Sequence, residues 1–366
     1  MTGDGLFTAP LPRDALGDPG LVRPDHYGAK PRPVALLALD RGECVDPELT
    51  ALAHRLLREL PSELVWCYPT SGPLYRKLAA HLGIEPDRLL LTRGSDGAIK
   101  TVFEAYVAPG DTVVLPDPTY QMYDVYLRLF GARPALVPYA LTGQGPHLEA
   151  DDLIAAIGLE RPKLVCLPNP DNPTGFVFEA PALRAIVEAA GEAGALILVD
   201  EAYYPFHPVT AMPWIDEFDH LVIARTFSKA WGLAGMRIGY AAACPAVAEV
   251  LHKTRPMIEA DGIAMALVER MLDHRDAVEA SLARLKDGRA FFASEMKKLG
   301  FRAVETAGNF VLVDFGDRRA AVEAALAPVA RYRLFSETCL KDFLRFTTTT
   351  RELFAPVIAA IRGVAT

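Results

Sequence analysis

Nothing in this sequence marks a metal site, a disulfide framework, a nucleic-acid surface or a membrane span. The 366 residues include five cysteines (Cys44, Cys67, Cys166, Cys244 and Cys339), scattered and odd in number, with no Cys-x-x-Cys pair. That spacing argues against a zinc ribbon and against a disulfide-built fold, and it fits thiols kept reduced in a cytoplasm. Lys and Arg number 38 against 46 Asp and Glu, and the net charge of −8 leaves no basic footprint for nucleic acid. No apolar run approaches the ~20 residues of a bilayer span. The first thirty residues hold acids and prolines without an apolar core run, so no signal peptide is expected. No internal repeat and no low-complexity tract is present.

What remains is an ordinary globular composition, 51% hydrophobic and 23% charged, on a chain long enough for two domains. Residues 1–36 are rich in Pro and Gly without periodicity and read as an arm lying over something else. Helical spacing follows at Pro47–Leu60 and Leu74–Leu82, around the turn-forming segment Trp66–Gly72. From Leu89 the pattern changes to short apolar runs alternating with amphipathic stretches. The runs are Leu89–Leu91, Thr112–Leu115, Ala135–Tyr139, Leu164–Leu167, Leu196–Val199, Leu221–Ala224 and Ile238–Ala243. Strands alternating with helices such as Ala98–Val107, Tyr120–Phe130 and Glu179–Ala193 predict an α/β fold with a mainly parallel seven-stranded sheet. Beyond about residue 260 the style shifts to a long helix, Asp276–Leu299, then strands at Phe310–Val313 and Leu344–Thr348 and helices at Arg318–Ala327 and Glu352–Ile361. This predicts a smaller α+β domain. The division expected is 1–36 for the arm, 37–260 for a large domain and 261–366 for a small one.

Parallel sheets bind ligands beyond the carboxyl ends of their strands, so the residues after each run are where chemistry is expected. After Leu89–Leu91 comes Gly94-Ser95-Asp96-Gly97-Ala98. It reads either as a phosphate cradle at a helix N-terminus or as a helix capped by Ser95 or Asp96. After Thr112–Leu115, Tyr120 would start a helix with its ring placed to stack on a flat ligand, or simply sit in the core. After Leu164–Leu167, the prolines and asparagines of Asn169–Gly175 make a rigid turn, in which Asn172 offers a neutral amide. Asp200 ends a very apolar run, so its carboxylate should be buried and in need of a cation; Tyr203 is three residues on. After Leu221–Ala224 come two hydroxyls, Thr226 and Ser228, then Lys229, then Arg237 eight positions later (237 − 229). A lysine crowded by apolar neighbours titrates more easily and condenses with an aldehyde, and the hydroxyls and arginine suit a phosphate. An aldehyde that also carries a phosphate is pyridoxal phosphate.

From about residue 60 onward the chain resembles the fold-type-I pyridoxal-phosphate aminotransferases of class I/II, and within that group the histidinol-phosphate aminotransferase family. The most specific parts are Asn169–Gly175, Asp200–Tyr203 and Thr226–Gly239. The resemblance implies pyridoxal 5′-phosphate as cofactor. It implies that Lys229 bonds to the aldehyde and moves the substrate proton, that Asp200 pairs with the pyridine nitrogen, and that Tyr203 and Asn172 contact the ring oxygen while Tyr120 stacks on the ring. Ser95, Asp96, Gly97, Thr226, Ser228 and Arg237 would surround the phosphate. Tyr68 would reach the phosphate of a neighbouring subunit, making a homodimer with shared sites. Arg345 corresponds to the arginine that grips a substrate carboxylate, Arg333 (alternatively Arg331) to a second substrate arginine, and Asn309-Phe310 to a motif beside them. No metal, nucleic acid or membrane partner is implied.

The resemblance is imperfect on the substrate side. The family's gate segment, Asn-Glu-Asn-Pro-Tyr-Gly, is here Asp40–Pro47, which carries Asp40, Glu43 and Asp46. Acids facing inward there would repel a phosphate. The function expected is amino transfer between an amino donor and a 2-oxo acid, with 2-oxoglutarate or glutamate as one partner. An aromatic or other amino-acid aminotransferase is the alternative within this class, and two other classes share the scaffold. One is an amino-acid decarboxylase resembling threonine-phosphate decarboxylase. The other is the effector domain of some transcription regulators, disfavoured because residues 1–45 are too short and proline-rich for a helix-turn-helix.

Overall fold

The computed structural model describes residues 13–21, 35–335 and 339–365. Seven of its strands form one sheet: β1 (Leu89–Thr92), β2 (Thr112–Asp117), β3 (Arg133–Pro138), β4 (Leu164–Pro168), β5 (Leu196–Asp200), β6 (Leu221–Thr226) and β7 (Gly239–Ala243). The spatial order is β1-β7-β6-β5-β4-β2-β3. All seven expected runs are strands of this sheet. Only β7 runs antiparallel, to both its neighbours. Alternation along each strand feeds two cores: Ile197 and Val199 point to one layer of helices, Leu196 and Leu198 to the other. A sheet covered on both faces needs apolar side chains on both, which is why these runs are continuously hydrophobic and not alternating.

Among the described residues eleven helices complete the layers: α1 (Pro47–Arg58), α2 (Gly72–Leu82), α3 (Gly94–Tyr106), α4 (Met122–Phe130), α5 (Ala150–Glu160), α6 (Ala180–Glu192), α7 (Pro245–His252), α8 (Gly262–Met271), α9 (Arg275–Lys298), α10 (Arg319–Leu326) and α11 (Arg351–Ala365). Helices α5, α7 and α8 escape the sequence reading. In α5 the apolar Leu159 is exposed beside the buried Leu153 and Ile157, which blurs the period. Two local readings need correction. Tyr120 does not start a helix, since α4 begins at Met122. Neither Ser95 nor Asp96 caps α3; the helix starts at Gly94 without any side-chain cap, which leaves first-turn N–H groups open.

A second sheet, antiparallel and ordered β8-β9-β11-β10, is built from β8 (Arg302–Glu305), β9 (Phe310–Asp314), β10 (Arg333–Leu334) and β11 (Phe343–Thr347). One face packs on α9, α10 and α11. The other carries Phe310 and Leu312 toward Tyr203 at the end of the first sheet. Residues 37–46 belong to this layer as well. Leu37 and Ala38 pair with Ala330 and Arg331, Leu39 lies in its core, and Val45 bridges to Thr349. Most of the arm 1–36 lies outside the described residues. Its piece 13–21 rests on α4, where Asp18 pairs with Arg128. Among the described residues no helix is long and apolar enough to cross a membrane.

Candidate active site

Parallel register brings the strand ends to one rim. Pro168 lies beside Asp200 and Asp200 beside Ala224, while Gly239 sits between Thr226 and Thr92. Gly239 has no alternative here: a Cβ would meet the Arg225 carbonyl oxygen at 2.5 Å and the Gly94 backbone at 2.6 Å. At this rim opens a cavity of about 230 Å³ lined by Ser95, Asp96, Tyr120, Asn172, Asp200, Tyr203, Thr226, Ser228, Lys229 and Arg237. Ten of the residues singled out from sequence therefore converge on one hollow between the two sheets.

Lys229 follows β6 and its Nζ donates to the Arg41 carbonyl at 3.1 Å. Burial pulls its amine down to about 8, and the Arg345 charge adds to the fall, with Arg237 contributing less; Glu43 and Asp200 work the other way. Asp200, buried at the end of β5, accepts one hydrogen bond, from Ala202 N–H at 3.1 Å, and no cation pairs with it among the described residues. Desolvation lifts its carboxyl to about 7, and Asp96, Asp171 and Glu201 push the same way. The sequence expectation that Asp200 is buried holds; its expected cation is not among the described side chains. Tyr203 is buried edge-on against Phe310, and burial pushes its phenol up to about 12. The loop holding Asn172 is stapled by Asp171, which accepts from Thr119 Oγ1 at 2.7 Å and Thr174 Oγ1 at 2.6 Å.

One end of the cavity is a cradle of donors. The open first turn of α3 presents Gly94, Ser95 and Asp96; Asp96 is fixed by Tyr126 Oη at 3.0 Å. Opposite stand Thr226 and Ser228, whose hydroxyls are 2.9 Å apart, and Arg237, whose Nη1 lies 3.3 Å from Ser228 Oγ. Gly97 does not reach the cavity. It packs α3 onto its own strand, where a Cβ would stand 3.2 Å from that of Thr92.

The substrate-side residues divide. Arg345 lies buried on β11, beside the cavity; its Nη1 donates to Asn172 Oδ1 and its Nη2 to the Asp40 carbonyl at 3.0 Å. Arg333 is directly opposite Arg345 in the ladder, hence on the same face, but exposed. The alternative, Arg331, is held by Asp40 through contacts of 2.9 and 3.0 Å. Of the three acids expected at the gate, only Glu43 lines the cavity. Asp46 instead caps α1, accepting from Glu48 N–H at 3.0 Å, and pairs with Arg284 at 2.8 Å. Tyr68 stands away from its own cavity and is 88% exposed.

Sequence reasoning missed the gate's backbone. Gly42, at φ +65°, donates to Thr347 Oγ1 and accepts from Asn309 Nδ2, each at 2.9 Å, and a Cβ there would lie 3.0 Å from Lys229 Nζ. The glycine in Asp40–Pro47 was the available signal. Also missed was the buried pair of Arg225 with Glu201, 2.8 Å apart, directly beneath the rim.

The chain is similar to known proteins of one family. The family described as Aminotransferase class I and II matches residues 41–361. A histidinol-phosphate aminotransferase of Symbiobacterium thermophilum is 35% identical over 304 residues, 82% of each chain. Another, histidinol-phosphate aminotransferase 1 of Burkholderia lata, is 33% identical over 358 residues, 96% of each. Among solved structures, histidinol-phosphate aminotransferase from Sinorhizobium meliloti, in complex with pyridoxal-5′-phosphate, superimposes with a TM-score of 0.79 at 27% identity and 90% coverage of both chains.

Proposed function

This chain belongs to the class I and II pyridoxal-phosphate-dependent aminotransferases, and from that membership we propose that it moves an amino group between an amino donor and a 2-oxo acid, with glutamate and 2-oxoglutarate as one pair. The observation that carries this reading is one cavity holding both Lys229, its amine lowered to about 8, and Asp200, a buried carboxylate that no described cation pairs with. Those two residues fit pyridoxal phosphate: a protonated pyridine nitrogen is a cation that no described side chain offers Asp200, and the backbone N–H groups of Ser95 and Asp96, with Thr226, Ser228 and Arg237, offer donors for a phosphate. When bound, the cofactor supplies an aldehyde for covalent attachment and an electron sink for the substrate's Cα.

The chain's own residues do the rest. Lys229 takes the proton from the donor's Cα and returns it, a task suited to an amine titrating near neutrality. Asp200 keeps the proton on the ring nitrogen. Tyr203 and Asn172 would hold the cofactor's ring oxygen, and Tyr120 would stack on its ring. Arg345 exchanges its contacts with Asn172 and Asp40 for the substrate carboxylate, gripping it by two parallel hydrogen bonds. Arg333, exposed on the same face, is assigned to a second, distal anion. Relatives named for histidinol phosphate support a phosphorylated donor; Glu43 on the cavity wall opposes a second negative charge. We assign a homodimer in which Tyr68 reaches the partner's phosphate cradle, and a cytoplasmic setting in keeping with five free thiols.

A panel of amino donors offered with 2-oxoglutarate tests the assignment. Stoichiometric glutamate, formed with at least one donor and without carbon dioxide, is the expected result. Carbon dioxide release independent of any 2-oxo acid would replace it with the decarboxylase reading.

A further inference from the structure

A second cavity, of about 450 Å³ against about 230 Å³ for the first, lies behind the same strand end. Thr226 lines both. The new cavity runs from the Arg225–Phe227 end of β6 to one face of α9 between Arg275 and Lys286, and its size is that of a ligand site. Its walls carry flat surfaces. Tyr204 stacks on the Arg225 guanidinium at 3.7 Å, and Trp231 meets His81 edge-on at 5.7 Å.

The charges in this cavity are unevenly satisfied. Arg225 is neutralised within the wall by Glu201 and also donates to Thr210 Oγ1 at 2.7 Å. Arg275 and Lys286 form no ion pair among the described residues. Lys286 is half-buried, and its amine is pulled down by burial and by Arg289. His81 is held down to about 4 by burial, then by Arg275 and Arg225. On a chain of net charge −8 this is a local positive field in partly desolvated surroundings, where an anion gains most. The acid on the wall, Glu279, lies between Arg275 and Lys286 on the same helix face and opposes a second negative group. The two cations are eleven residues apart, roughly 16 Å along α9, too far for one small molecule to bridge.

We propose that this cavity is a second ligand site, for a flat aromatic monoanion of the carboxylate class, seated with its carboxylate at Lys286 and its ring beside Trp231. Among the described residues Lys286 has no counter-ion, which such a ligand brings, and the aromatic walls supply the stacking surface. The site is distinct from the cavity holding Lys229, and its occupancy is independent of which substrates that cavity accepts.

The test uses the cofactor-loaded protein and 2-naphthoate as probe, with neutral 2-naphthalenemethanol and non-aromatic cyclohexanecarboxylate as controls. Calorimetry should find one 2-naphthoate per chain, held at least tenfold more tightly than either control. Saturating 2-oxoglutarate should not compete with it, and Arg345→Ala should leave the affinity unchanged. Lys286→Gln and, separately, Lys286→Glu should weaken it tenfold or more at unaltered melting temperature. Binding should quench tryptophan fluorescence, and Trp231→Phe should abolish most of that quench while the calorimetric heat persists. No saturable binding, competition by 2-oxoglutarate, loss on Arg345→Ala, or indifference to Lys286→Gln would each overturn the proposal.

Discussion

At the scale of single residues the site is a set of groups held away from their ordinary protonation. Lys229→Ala should still take up pyridoxal phosphate through the cradle, yet show no lysine-bonded absorption band and no turnover; normal activity in that variant would refute the assignment. Asp200→Asn should fold and lose about 3–4 kcal/mol of transition-state stabilisation, the scale of removing a preorganised group, read from kcat/KM. Asp200 also predicts a pH dependence. In the cofactor-free chain its carboxyl is lifted from 3.8 to about 7, so between those values the folded state binds more protons than the unfolded one. Stability contributed by the protonated form is full at low pH and is lost as pH rises through about 7. Asp171, lifted to about 6, acts in the same direction. Denaturant midpoints of the cofactor-free protein should therefore fall from pH 5 to pH 7.5, and Asp200→Asn should flatten that slope. An unchanged slope would mean that Asp200 is already paired.

At the scale of elements the gate Asp40–Pro47 is the informative segment. Its acids look alike in sequence and do three different things. Asp40 neutralises Arg331, Asp46 caps α1, and Glu43 faces the cavity. Asp46→Ala should cost about 1–3 kcal/mol in stability, since it removes a helix cap and leaves Arg284 without this partner, while KM for glutamate stays close to the parent value. Gly42→Ala should do the opposite. A Cβ there crowds the Lys229 amine at 3.0 Å and Asn309 Oδ1 at 3.2 Å, at a backbone angle that L side chains avoid, so kcat should fall at least tenfold with only about 1 kcal/mol lost in thermal unfolding. If kcat were retained, the gate's backbone would not bear on the lysine.

At the scale of the molecule the exposed segment around Tyr68 stands out. Val65, Trp66, Tyr68 and Met257 are each more than 70% exposed, and Pro69 and Leu64 lie against Gly262, which brings the two stretches together. Large apolar side chains gathered on a surface mark a partner's place. Sedimentation should show a dimer. Mixing Tyr68→Phe with Lys229→Ala chains should then yield hybrids with one fully wild-type site, formed by the first chain's lysine and the second chain's tyrosine. Hybrids no more active than the parents would place Tyr68 at its own chain's site, or remove it from the chemistry.

The seven strands and the lysine loop were determined by the sequence alone, because a sheet buried on both faces demands uninterrupted apolar runs, and polar residues break them only at the strand ends. Asp200, Asn172, Thr226 and Lys229 are legible for that reason: each stands at the end of such a run or within a few residues beyond it. Tertiary structure decided the rest. Ser95 and Asp96 look like caps and are instead wall residues of the cavity. Gly97, next to them, is packing. Arg333 and Arg331 are two residues apart, yet one is exposed on the site's face and the other bound to Asp40. The cavity beside α9 joins residues 204–240 to residues 275–286, an adjacency no local pattern encodes. A side chain's burial follows from the period of its own element, whereas its partner depends on which other element the fold lays against it.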